Sequence, residues 1–167
     1  MATSWRDLIE RAYADIPNPA GTTSKPRFSP PVSTEDIAAA EDQLGTKLPA
    51  SLTSLLMETD GVMDMMSVRG GDYFANMWLI WPTERIVAES LEDRSEYVLV
   101  ASDADTSDLV FFADAGADGI LFAFPPASAN TGDTKVVAWH PLRGTVSDLA
   151  DSLEDFIARW LTGRISV

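Results

Sequence analysis

LVFFADAGADGILFAF, residues 109–124, holds two short apolar runs, 109–112 and 120–124, on either side of a turn of Asp, Gly and Ala. Each run is too short for a helix, and its Val, Phe, Leu and Ile content suits a strand packed in a sheet. The connection is far shorter than a parallel crossover needs, so the two strands are expected to be antiparallel neighbours. Runs of the same texture stand at 97–101 and 135–139, with Asp, Gly, Pro and Asn clusters between them. Residues 77–81 make one more short apolar strand. Together they predict an antiparallel meander.

Outside this region the periodicity turns helical. Over residues 4–16, Trp5, Leu8, Ile9, Ala12, Tyr13 and Ile16 share one face behind Ser4, a candidate N-cap with Asp7 three positions on. A second helix is expected to start at Ser33, with Asp36 at its third position and Ile37, Ala40 and Leu44 as its stripe. Gly45 ends it, because glycine reaches the left-handed region without strain. Leu48-Pro49 opens a third helix, carrying Leu52, Leu55 and Leu56, and Asp60-Gly61 stops it. Residues 82–91 are ambiguous, with Ile86 and Val87 suited to a short helix. A last helix follows Ser152 and Asp155, with Leu153, Phe156, Ile157, Trp160 and Leu161 inward and Gly163 as its stop. The order helices, sheet, helix reads as a single α+β domain: a mostly antiparallel central sheet, flanking N-terminal helices and a C-terminal helix.

Residues 17–31 hold Pro17, Pro19, Pro26, Pro30, Pro31 and Gly21. Such a segment is neither a helix interior nor a central strand, and it reads as a surface loop or tether. The expected division is therefore 1–31, a first helix and Pro-rich connection, and 32–167, the α+β domain.

Composition narrows the chemistry. The chain has 167 residues, 46% hydrophobic and 23% charged, the balance of an ordinary globular domain that needs no staple. It has no cysteine, which removes disulfides, thiolate nucleophiles and cysteine zinc sites. No secretory signal and no apolar run of membrane-spanning length is visible, so the cytoplasm is the expected compartment. The lone histidine, His140, stands at a strand end and reads as a turn residue rather than a base or ligand. Gly116 and Gly119 lack the strand–loop–helix frame of a phosphate loop and read as a turn. Asp103, Asp105, Ser107 and Asp114 fit a calcium-loop register, but Asp108 stands where the sharp turn wants glycine. A solvated turn is the better reading. With 26 acids, some carboxylate pair is always close, so a carboxylate-based hydrolase stays a remote alternative. No catalytic residue, metal or cofactor is expected.

Charge is the strongest compositional signal. Twelve Lys and Arg stand against 26 Asp and Glu, a formal net charge of -14. Such a chain repels phosphate backbones and anionic lipid, so neither nucleic acid nor membrane is an expected partner. Across residues 84–118, Glu84, Glu89, Glu92, Asp93, Glu96, Asp103, Asp105, Asp108, Asp114 and Asp118 face only Arg85 and Arg94, a local balance of -8. Residues 1–31 carry +1. Two readings stay open: a field that steers a cationic partner, or a polar sheet edge whose charge blocks edge pairing. On the first reading the contact residues are Glu92, Asp93, Glu96, Asp103, Asp105, Asp108, Asp114 and Asp118. Of five tryptophans, Trp78 and Trp81 are three positions apart, so in an extended segment one of them is free to anchor an interface.

Ser33-Thr-Glu-Asp-Ile37, Glu41, Leu44-Gly45, Leu48-Pro49, Leu52, Leu55-Leu56 and Asp60-Gly61 resemble the opening of the SUKH superfamily. Trp78-Leu-Ile-Trp-Pro-Thr-Glu-Arg-Ile86, Asp118-Gly-Ile-Leu-Phe-Ala-Phe124, Val136 to His140, and Ser152-Leu-Glu-Asp-Phe156 through Trp160-Leu161 are similar to its later blocks. The resemblance spans about residues 32–164. It implies an α+β domain without catalysis, of the kind found in fungal cell-wall regulators and bacterial immunity proteins that bind toxins, often nucleases. No site residue transfers with it. The function expected is that of an immunity protein that binds and neutralises a basic toxin, its acidic face mimicking the toxin's polyanion or plugging its cleft. The alternative is a regulatory or scaffold domain for another protein partner.

Overall fold

The structure is a computed structural model that describes residues 2–95, 105–125 and 135–167. The first helix, α1 (Trp5–Ala14), starts where Ser4 accepts the Asp7 amide at 3.1 Å. Its buried stripe is Ile9, Ala12 and Tyr13. Helix α2 (Thr34–Leu44) starts the same way, with Ser33 accepting from the Asp36 amide, and closes on Gly45 at φ 69°. Helix α3 (Ala50–Leu56) buries Leu52, Leu55 and Leu56 and ends before the Asp60-Gly61 pair that was expected to stop it.

Strands β1 (Thr22–Phe28), β2 (Val62–Val68) and β3 (Phe74–Ile80) form an antiparallel sheet in that order. The first of these corrects the sequence reading, because the Pro-rich segment is not merely a loop or tether. It supplies an edge strand, the one place in a sheet where Pro26 is tolerated. Strand β2 was not expected at all. Its sequence Val-Met-Asp-Met-Met-Ser-Val lacks a β-branched centre and puts Asp64 in the middle. Asp64 Oδ2 accepts from Asn76 at 2.8 Å. Its other oxygen and the Tyr13 hydroxyl are both buried without a well-formed hydrogen bond. Burial, and then the charge of Asp64, push the Tyr13 phenol far above its ordinary range.

Helix α4 (Thr83–Leu91) follows β3 directly, which resolves the ambiguous 82–91 segment as helix. Pro82 offers no side-chain cap, and the task passes to Asp60 Oδ1, which accepts the Thr83 amide and hydroxyl at 2.7 Å each. The second sheet runs β4 (Val110–Asp114), β5 (Leu121–Phe124), β6 (Val136–His140) and β7 (Thr145–Ala150), all antiparallel. Strand β7 was not foreseen: its alternating polar pattern leaves only Ala150 buried. The expected strand at 97–101 lies outside the described residues. Helix α5 (Leu153–Leu161) begins at Ser152, which accepts from the Asp155 amide.

The antiparallel strands are thus divided between two sheets, joined by a backbone bond from Trp81 N to Phe112 O at 2.8 Å. The core sits mainly on the four-stranded sheet, whose middle strands are buried on both faces. On one face Phe156 of α5 packs edge-on against Phe112 and Phe122, with centroids at 5.5 and 4.8 Å. Phe111 and Trp139 pack on the other, 6.0 Å apart. No helix among the described residues is long and apolar enough to cross a membrane.

Candidate partner-binding site

The face that carries Phe111 and Trp139 is only partly roofed, and a cleft of about 810 Å3 opens above it. Its floor is Trp81, Leu121 and Trp139. Its walls are α4, the residues that follow α4, and the turn from β4 to β5. Helix α4 is pinned here because Ser90 Oγ accepts the Phe111 amide at 2.9 Å, satisfying an edge group that β4 would otherwise leave bare. That places Arg85 and Glu89, one helical turn apart, over the cleft.

Arg94 is buried beneath the cleft wall with its guanidinium over the rings of Phe111 and Trp139, at 4.5 and 5.5 Å. Its Nη2 donates to the Glu89 carbonyl at 2.6 Å and to Glu89 Oε2 at 2.8 Å, and approaches Glu92 at 3.7 Å. Its Nε is buried without a partner. Arg85 lies over Trp81, 4.4 Å from the ring centroid, and approaches Glu89 and Asp114 at 3.6 Å each. Asp114 is held from two sides: Trp81 Nε1 donates to it at 3.3 Å, and its other oxygen accepts the Gly116 amide at 2.9 Å. The turn after it uses left-handed φ at Gly116, Asp118 and Gly119, which stands Asp118 out into solvent.

Four carboxylates and two guanidiniums therefore line one cleft over a tryptophan floor. A family model, SMI1 / KNR4 family (SUKH-1), matches residues 31–159. The chain belongs to this family. No curated protein matches it.

In this SUKH-1 chain the acids singled out from sequence fall into three groups. Glu92, Asp114 and Asp118 converge on the cleft. Asp93, Asp105 and Asp108 are exposed and do not line it. The Ser95 amide and hydroxyl hold the Asp93 carboxyl below its usual range, and the Ser107 hydroxyl and amide do the same for Asp105. Asp105 Oδ1 takes Ser107 Oγ at 2.6 Å, so this stretch is a hydrogen-bonded turn. Glu96 and Asp103 lie outside the described residues. Sequence reasoning missed the part played by Glu89, Arg85 and Arg94. Their only signal was that both bases of the acid-rich stretch fall within ten positions of each other, on or beside one helix.

His140 is buried at the end of β6, with Nε2 2.9 Å from Ser147 Oγ. Burial, and then Arg143, lower its pKa. Trp81 is fully buried and Trp78 partly so, which places Trp81 in the floor of the site rather than on an exposed anchor. Among the described residues no cluster of three or more His, Asp or Glu side chains is arranged to hold a metal ion.

Proposed function

We propose that this chain is an immunity-type binding protein that neutralises a basic protein toxin by seating it on the cleft above Trp81 and Trp139. The reading rests on the convergence of Glu89, Glu92, Asp114 and Asp118 on one concave aromatic floor. Membership of the SMI1/KNR4 family, which is consistent with an immunity or regulatory protein-binding role, supports it. So does the net charge of -14, which speeds encounter with a cationic surface. The role asks for no chemistry: the carboxylates attract, the exposed Leu142 at the cleft supplies apolar contact area, and the toxin's cleft is covered. On this reading the protein acts in the cytoplasm. Asp93, Asp105 and Asp108 add to the long-range field without touching the floor.

The test is capture of the product of the adjacent gene by the tagged chain, followed by titration at rising salt. Affinity is expected to fall steeply as screening shortens to a few ångströms, and Asp118→Asn with Glu92→Gln should weaken it further. Capture whose affinity is indifferent to salt and to both substitutions would remove the cleft from the mechanism. Failure to bind any product of a neighbouring gene, with capture of a cellular regulator instead, would favour the regulatory role.

A further inference from the structure

The two guanidiniums of the cleft are held in different ways. Arg94 is locked, with a side chain 6% exposed and short hydrogen bonds to Glu89. Arg85 is not. Its side chain is 40% exposed, and its approaches to Glu89 and Asp114 are both 3.6 Å, too long for hydrogen bonds. What keeps it there is charge and the face of Trp81. Exposed pairs of that length add little net stability.

The groups around Arg85 have independent supports. Asp114 is oriented by Trp81 Nε1 and the Gly116 amide. Glu89 is anchored by Arg94. Trp81 is fixed in the floor, its amide bonded to Phe112 O. An aromatic plate flanked by two carboxylates is therefore pre-built, and a loosely held guanidinium of the chain itself fills it.

We propose that this box is a receptor for an arginine side chain of the protein partner, and that Arg85 is its occupant in the free state and leaves when the partner's arginine enters. The inference rests on the reading that the cleft binds a basic protein, and it names the group that is bound. Exchange of one guanidinium for another keeps the charge of the box unchanged. The planar fork that stacks on an indole and reaches carboxylates on both sides is arginine's; a lysine ammonium is a point charge with a stronger hold on water. The internal occupant lowers apparent affinity in proportion to the time it fills the box.

The experiment uses the full chain and fluorescein-labelled octa-arginine, read by anisotropy at low ionic strength, with octa-lysine as the comparison. Arg85→Ala is expected to bind octa-arginine about five- to tenfold more tightly than the unaltered chain. Arg11→Ala removes the same charge from an exposed position on α1 and should change affinity by less than about twofold, the scale of one distant screened charge. Octa-lysine should gain no more from Arg85→Ala than from Arg11→Ala. Arg85→Lys keeps the net charge and gives up the fork, and it should also tighten octa-arginine binding. Equal tightening in Arg85→Ala and Arg11→Ala would mean charge alone and would overturn the proposal. Weaker binding in the Arg85 variants would do so too, since Arg85 would then be shaping the box rather than filling it. Salt-sensitive capture of a toxin alongside either failure would leave the cleft reading standing and remove only the arginine box.

Discussion

Gly61 is a tightly enclosed backbone position, and its replacement by alanine has a calculable cost. Its φ is 93°, a region that L side chains avoid. A Cβ there would lie 2.9 Å from Pro82 N, 3.0 Å from Ile80 O and 3.1 Å from Trp78 Cζ3. The first two atoms are backbone and cannot rotate away. Strain at such a φ costs about 1–3 kcal/mol, and overpacking against fixed atoms costs about 1–3 kcal/mol more. The expected loss for Gly61→Ala is therefore about 2–6 kcal/mol out of a total stability of roughly 5–15. For a domain of this size that is a fall in Tm of roughly 5–20 °C. Gly45→Ala is the matched control, because φ there is 69° and nothing lies within 4 Å of the added carbon. It should lose only about 1–2 kcal/mol. Urea unfolding and thermal scans by circular dichroism measure both. Equal losses in the two variants would refute the argument from backbone contact.

Thr59 is fully buried, donating to Gly61 O at 2.7 Å and accepting the Ser29 amide at 2.9 Å. Thr59→Val strands both partners and should cost about 1–3 kcal/mol in urea unfolding, with no change in slope. Asp60→Ala removes the distant cap of α4 and should cost about 0.5–2 kcal/mol, while loosening Trp81 as read by its fluorescence. His140 has a folded pKa below its ordinary value, so protons bind the unfolded chain first. Stability should therefore fall as pH drops through the ordinary histidine range, and His140→Gln should flatten that part of the pH–stability curve.

What could be read from the sequence was what neighbours in the chain decide. Ser4, Ser33 and Ser152 each cap with a hydroxyl that reaches an amide three residues on. Gly45 ends a helix in the left-handed conformation it alone takes easily. The strands that carry Phe111, Phe122 and Trp139 are apolar on both faces and announce themselves. What could not be read depends on partners far along the chain. Pro26 is acceptable in β1 only because β2 is that strand's sole strand neighbour among the described residues. The methionines and Asp64 of β2 give no alternation to recognise. Helix α4 is capped from 23 positions away by Asp60, and the α1 amides of Trp5 and Arg6 go to Glu58 at 3.1 and 3.2 Å. The acid-rich stretch was visible as a count of charges. Its division into carboxylates held by arginine and carboxylates left to solvent depends on Arg94 folding under the cleft wall, which no local pattern announces.

The main-chain bond from Trp81 to Phe112 makes the two sheets resemble two leaves meeting at a spine. Whatever lands on Trp81 touches the spine itself, so its grip is felt by both leaves. A tight binder would act as a splint there, raising the unfolding temperature of the whole chain with its concentration. The Trp81 amide would exchange with deuterium far more slowly in the complex than in the free protein.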